Sequence, residues 1–438
     1  METLPGQPVP ESIDDLSADV ARALPRRPML ARMFRACFRN ALETTVRRLP
    51  DGTAFVLTGD IPAMWLRDSA AQARPYLALA ATDAWIAELL EAVVRRQLAF
   101  VCLDPYANAF NVMPGPPSDR RDRPLPHPEV WERKYEVDSL SWPLLLAHDL
   151  WRATGRTGHL GQGFADAAAV TLATWRTEQD HERRSEYRFR RPGAPAIDTL
   201  GRDGRGPLVV PTGMTWSGFR PSDDACTHGY HVPGNMLATV ALAAMAAMAE
   251  ATGRTRLAAE AAALRAEILA GIAVHALVEH PDHGMVWAYE VDGRGGALLA
   301  DDANLPSLLA LPYLGWCATD DPVYRATRRL VLSEANPWFA RGNVAAGIGS
   351  PHTPPGWVWH LGLITEALTS PDSGDRDRLL DVLARTDAGT SFMHESFDPS
   401  DPRRFTRPWF GWANALFAEL VLAHTGMGGP LTTLRPVT

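Results

Sequence analysis

Two kinds of helix-forming segment alternate along this chain, and the alternation limits its possible folds more than any other feature. The first kind is apolar on one face. From Pro28 to Leu49 the apolar residues fall at Leu30, Met33, Phe34, Cys37, Phe38, Leu42 and Val46. From Asp83 to Leu103 they fall at Trp85, Ile86, Leu89, Leu90, Val93, Val94 and Leu98. Spacings of three and four residues predict helices with one buried stripe. Further segments of this kind start near residues 159, 255, 321 and 375. The second kind is apolar or small all round, as in the alanine-rich run from Met236 to Ala251, and starts near residues 67, 138, 231, 303, 357 and 408. A helix apolar on every side must be buried on most sides. Six buried helices alternating with six half-buried ones predict an all-α, two-layer ring, an inner barrel wrapped by an outer one. Alternate helices then run antiparallel, so the six polar loops leading into the inner helices converge on one mouth. The even spacing argues for a single domain over residues 28–438. Residues 1–27 read as a poorly ordered lead-in or a short strap. EYRFRR, at Glu186 to Arg191, alternates as one arm of a hairpin would.

With 438 residues and 46% hydrophobic content the chain can build a large core. A net charge of −8 gives no reason to expect nucleic acid or an anionic membrane as partner. Cys37, Cys102, Cys226 and Cys317 are far apart and form no CxxC pair, so neither a disulfide framework nor a zinc site is indicated. No window holds about 18 uninterrupted apolar residues, and the start of the chain lacks the apolar core of a signal peptide. The expectation is a soluble, cytoplasmic, monomeric protein. Lys134 is the only lysine, which reads as compositional bias beside the many arginines.

The leading loops share one composition. They carry Asp60, Trp65, Arg67 and Asp68; Asn108, Asn111, Glu136 and Asp138; Trp216, Arg220, Asp223 and Asp224; Asp301, Asp302 and Asn304; His352, Trp357 and His360; His394, Glu395, Arg407, Trp409 and Trp412. Serine elbows, glycine-rich phosphate loops and clustered metal ligands are missing from this set. Carboxylates and amides grip hydroxyl groups and indoles stack on sugar faces, so a neutral polyol is the substrate class these residues suit. Paired carboxylates make glycoside hydrolysis the natural reaction. The adjacent Asp223 and Asp224 are candidates for the general acid, with Glu395 as the distant partner. Structural roles stay open: Asp68, Asp138 and Asp301 as helix N-caps, Arg67 as a partner of Asp60 or Asp68, His352 and His360 as scaffold, Trp409 and Trp412 as core. Another glycosidase or a phosphorylase on the same ring, and a catalytically silent sugar-binding protein, are the competing functions.

Six stretches, GDIPAMWLRDSAAQ, KYEVDSLSWPLLL, GMTWSGFRPSDDA, DDANLPSLL, MHESF and WFGWANALFAEL, resemble in order the pattern of glycoside hydrolase family 125, the inverting exo-α-1,6-mannosidases. The resemblance runs from about residue 55 to 422. It implies an (α/α)6 barrel, removal of terminal mannose from α-1,6 links of a mannose-containing glycan, inversion, and no metal or other cofactor. Carried onto this chain, the general acid falls on the Asp223–Asp224 pair and the base on Glu395. Trp65, Arg67, Asp68, Trp216 and Arg220 then line the terminal-sugar pocket, and Asp60, Asn111, Asp138, Asp302, Asn304, His352 and Trp409 complete the expected binding set. The loop from Pro117 to Pro128 and the segment from Ser185 to Arg205 match no motif of the family. Inversion implies acid and base carboxyls roughly 6.5–9.5 Å apart.

Overall fold

The computed structural model describes residues 9–428, and within them the fold is mostly helical. The expectations for residues 1–8 and 429–438 lie outside the described residues. Helices of eight residues or more are α1 (Glu11–Ala23), α2 (Pro28–Asn40), α3 (Leu66–Ala73), α4 (Ala84–Leu103), α5 (Ser141–Thr154), α6 (Gln162–Glu178), α7 (Val232–Ala251), α8 (Thr255–His275), α9 (Pro322–Val331), α10 (His360–Leu368), α11 (Ser373–Leu383) and α12 (Gly411–Thr425). Local chemistry sets several of their ends. The Asp83 carboxylate accepts from the Trp85 and Ile86 amides at the start of α4, and Asp321 accepts from Tyr324 at the start of α9. Gly155 and Gly426 stop α5 and α12 in the left-handed conformation that glycine adopts at least cost.

The two kinds of helix separate as their patterns require. α3, α5, α7, α10 and α12 are buried along most of their length, and neighbours touch in the order α10–α12–α3–α5–α7. α2 packs on α12, α4 on α5 and α3, α8 on α7 and α11 on α10, each through its apolar stripe. α7 is the one helix among the described residues long and apolar enough to cross a membrane, yet 83% of its apolar window is buried inside the protein. Its composition is that of a core helix.

Three expectations need correction. The apolar run after Asp301 is not a helix. Pro306 and Pro312 each lack an amide donor and clash with a preceding turn, so the segment folds as successive turns. The Asp301 carboxylate accepts from the Leu308 and Leu309 amides, 2.8 and 2.9 Å, and takes the place of the missing ladder. Leu305, Leu308, Leu309, Leu311 and Leu314 are still buried, and the Tyr313 hydroxyl donates to Glu419 of α12 at 2.9 Å. The second correction concerns the lead-in, because Glu11–Ala23 are helical, with Ile13 and Val20 fully buried. α1 lies against α2 and α12, and Asp14 pairs with Arg39 at 2.6 Å. Glu186–Arg191 makes only an isolated bridge, Arg190 to Arg123, rather than a hairpin arm.

Short sheets sit where the inner helices begin. Met64–Trp65 precedes α3, Tyr230–His231 precedes α7 and Val358–Trp359 precedes α10, and each pair is one strand of a three-stranded antiparallel sheet. The residues at these helix starts are therefore fixed by backbone hydrogen bonds on one side and by the helix on the other.

If α1 is part of the core, Ile13→Ala costs about 2–5 kcal/mol, as for other large-to-small changes at buried sites. Urea unfolding measures it, and a loss within about 0.5 kcal/mol would mark α1 as an appendage.

Candidate active site

At the helix starts the chain encloses a cavity of about 190 Å³. Trp65, Arg67 and Asp68 reach it from the beginning of α3, and Trp359 from the residue before α10. Arg407, Phe410 and Trp412 enter from the approach to α12, joined by Thr58, Ile61, Asn304 and His352. Three carboxylates share this wall, Asp68, Asp223 and Glu395. Strand register explains part of the placement. Trp359 pairs with Ser396, which sets Glu395 beside it, and Trp65 pairs with Ala109, which sets Asn108 beside it.

The floor is a buried charge cluster around Arg67, whose side chain is 3% exposed. Its guanidinium lies 2.6 Å from Glu136, 3.3 Å from Asp138, 3.7 Å from Asp68 and 3.8 Å from Asp223. Thr58 donates its hydroxyl hydrogen to Asp68, Ser139 donates to Glu136 at 2.9 Å, and the Trp142 indole donates to Asp138 at 3.2 Å. One guanidinium cannot neutralise four carboxylates, so burial raises the proton affinity of Glu136 strongly and that of Asp68 and Asp138 as well. Asp223 goes the other way. Burial would raise it, but the hydrogen bond with Glu136 and the charges of Lys134 and Arg67 outweigh burial and hold it at about 2. Burial and the neighbouring charges thus favour the neutral form of Glu136 and the carboxylate form of Asp223.

Asp223 and Asp224 are adjacent but face different surroundings. Asp223 has φ 66°, the left-handed region, and its carboxylate opens on the cavity, accepting from Asn108 at 2.9 Å and from the Trp65 indole at 3.3 Å. Asp224 is buried behind the wall, one oxygen 2.9 Å from His352 Nδ1 and the other without a hydrogen-bond partner among the described residues. Burial opposes the charge on His352, but the contact with Asp224 prevails and raises it to about 9. The Asp224 contact thus favours the imidazolium form of His352. Glu395, also on the wall and 7% exposed, lies 3.6 Å from Arg407, whose guanidinium also donates to Asp60 at 2.9 Å and stands 4.5 Å from the Phe410 ring centre.

The expected site residues divide into wall and support. Trp65, Arg67, Asp68, Asp223, Asn304, His352 and Glu395 line the cavity. Asp60 stands at the rim and holds Arg407. Asp138 and Asp302 lie one layer back, against Arg67 and Asn304, with the Asn304 amide donating to Asp302 at 2.8 Å. Arg220 is buried against Glu290 at 2.5 Å. Three residues expected to contact sugar point elsewhere. Trp216 is fully buried and stacks on His181 at 3.7 Å, enclosed by Gly206, Gly218 and Gly229, where any Cβ would strike the indole at 3.0 Å or less. The glycines that flank this tryptophan therefore make room for its ring rather than shape a pocket. Asn111 donates to the Pro128 carbonyl at 3.0 Å and ties down the loop that follows. The Trp409 indole donates to Asn40 at 3.3 Å, outside the wall. Sequence reasoning left out Thr58, Ile61, Trp359, Arg407, Phe410 and Trp412 from the binding set; Arg407 and Trp412 had a signal, since both stand in the loop leading into α12.

A helical architecture whose helix starts and loops bring Asp68, Asp223 and Glu395 to one aromatic-lined cavity is that of a glycosidase. The family described as metal-independent alpha-mannosidase (GH125) matches residues 27–422, and the chain belongs to it. A solved structure from this class, a Streptococcus pneumoniae α-mannosidase in a non-productive complex with α-1,6-mannobiose, superposes with a TM-score of 0.94 at 44% identity, covering 95% of this chain and 99% of that one. The meiotically up-regulated gene 157 protein of Schizosaccharomyces pombe is 41% identical, covering 94% of this chain and 85% of its own. A bacterial glucoamylase bound to acarbose shares the fold at a TM-score of 0.58 and 11% identity, over 90% of this chain and 55% of that one.

The His352–Asp224 contact predicts a pH signature. The histidine is raised from an ordinary value near 6.5 to about 9, so its contribution to stability is complete below about pH 6.5 and is lost as pH rises through 9. Urea midpoints of the wild type decline over that window, and those of His352→Gln decline less; equal slopes would show that the contact does not hold.

Proposed function

We propose that the protein is an exo-acting α-mannosidase that hydrolyses non-reducing terminal α-1,6-linked mannose with inversion, Asp223 serving as general acid and Glu395 as general base. The observation that carries this is the convergence of Asp223 and Glu395, far apart in the chain, on the wall of one cavity. Family membership supports the sugar, and the bound α-1,6-mannobiose of the Streptococcus pneumoniae relative supports the linkage. A cavity of about 190 Å³ suits roughly one hexose ring, and a floor of Arg67, Asp68 and Trp412 suits capture of a chain end. We read the architecture as an (α/α)6 barrel in which the turns after Asp301 take one inner position, and residues 28–438 as its catalytic domain.

In this reading Glu395 accepts a proton from a water, whose oxygen attacks the anomeric carbon as the bond to the leaving oxygen breaks. Asp223 gives its proton to that oxygen and is left as carboxylate. The proton comes from the pair with Glu136. With water in the cavity the pair keeps it on the buried Glu136. A sugar seated against Asp223 removes that water, which disfavours the anion and moves the shared proton toward the glycosidic oxygen. Asp224 has no open path to the substrate and keeps His352 charged and in place.

Incubation with α-1,6-, α-1,2- and α-1,3-mannobiose, followed by NMR, tests the assignment. β-Mannose should appear first, and from the α-1,6 substrate. Initial α-mannose would mean retention, and preference for another link would remove the specificity proposed. Glu395→Gln should lower kcat by about 10²–10⁴-fold while calorimetric affinity for mannobiose stays within about threefold, since only the proton acceptor is lost. Full turnover in that variant would exclude Glu395 as the base.

A further inference from the structure

We propose that Lys134, the only lysine of the chain, is a positioning residue that pins the turn carrying Asp223 and so aims its carboxyl at the glycosidic oxygen. The inference rests on Asp223 as the general acid. Lys134 is 3% exposed and does not touch the cavity. Its ammonium donates to the main-chain oxygen of Asp223 at 2.8 Å and to the Asp198 carboxylate at 2.6 Å. Its own amide donates to the Asn108 side-chain oxygen at 3.2 Å, and the nitrogen of the same Asn108 donates to the Asp223 carboxylate at 2.9 Å. Lys134 and Asn108 therefore hold Asp223 at both ends, backbone and side chain. The hold also fixes an uncommon backbone, because Asp223 sits at φ 66°, in the left-handed region that Asp enters more readily than most side chains but that still gains from being tied down.

The residue type fits the task. A compact ammonium with three donors can serve a carbonyl and a carboxylate in different directions, whereas a guanidinium presents a flat, wider fork. In a chain where Lys and Arg together number 43, the single lysine stands where one ammonium serves both a carbonyl and a carboxylate. The pin is also braced. Asp198 accepts two hydrogen bonds from Arg191, both 2.9 Å, and Arg191 reaches Asp122 at 2.7 Å and Glu132 at 2.9 Å. The Pro117–Pro128 loop and the Ser185–Arg205 segment, which match no motif, thus connect through Lys134 to the acid. Losing the pin lets the turn relax, and a displacement near 1 Å in a reacting group costs about 10²-fold.

The charged groups facing Asp223 are Arg67, Asp68, Glu136, Lys134 and His352, so removing the ammonium also removes one of its cations. The test compares wild type, Asp198→Asn, and the charge-balanced Lys134→Met/Asp198→Asn on α-1,6-mannobiose, with calorimetric melting as the fold control. The double variant should lose about 10²-fold in kcat relative to Asp198→Asn, with KM within about threefold, and its alkaline pH–rate limb should move to higher pH. A folded double variant with kcat within threefold of Asp198→Asn and an unmoved limb would overturn the proposal. Should the double variant not fold, Lys134→Arg takes its place: a kcat loss of tenfold or more at unchanged KM supports the pin, and wild-type kcat overturns it. Wild-type turnover in the same assay separates the two readings. An inert wild type removes the mannosidase assignment, whereas with an active one the variants alone decide for or against Lys134.

Discussion

The structure depends on one buried guanidinium. Arg67 sits at the floor of the cavity with four carboxyl groups within 4 Å, and these arrive from the start of α3, the approach to α5 and the Asp223 turn. Placing so many carboxyls together away from water is untenable without a cation, and a cation there is equally untenable without them. The cluster therefore joins separate parts of the chain by mutual need. Burial raises the proton affinity of Glu136, Asp68 and Asp138, and repulsion within the cluster adds to it at Glu136 and Asp68. The arrangement that binds the helix starts together is the same one that sets a strongly raised Glu136 behind the cavity-facing Asp223.

Precision comes from how the inner helices begin. A two-residue strand directly before a helix allows little drift, since the sheet fixes the direction of entry and the first helical turn fixes the direction of exit. Trp65, Arg67 and Asp68 follow such a joint before α3, and Trp359 belongs to the one before α10. Glu395 is held from across the sheet, beside the strand partner of Trp359. Functional groups on these joints need no long loop ordering when a ligand enters, which suits a site that must hold two carboxyls at a set distance.

Periodicity made most of the helices legible, because burial of a stripe or of a whole cylinder leaves its mark on spacing. It failed after Asp301, where an apolar run carries two prolines and folds as turns while remaining buried. It was overlooked in α1, whose Ile13, Leu16 and Val20 lie on one face and give the helical signal in a segment read as a poorly ordered lead-in or a short strap. At the site, residue type showed which loops meet but not which side of each loop faces inward. Trp216 and Trp412 look alike in sequence, yet one is packed among glycines and the other lines the cavity. The second layer was the least legible. Glu136 stood in the right loop without a role, and Lys134 looked like compositional noise, because a group that acts through a neighbour needs no spacing rule of its own.

That solitary lysine has a practical consequence for anyone handling the protein. Every cationic side chain on the outside, histidine aside, is a guanidinium, so succinimidyl esters and dialdehydes meet no side-chain amine there. Side-chain coupling to supports or dyes can use carboxylates or the exposed thiol of Cys102 instead.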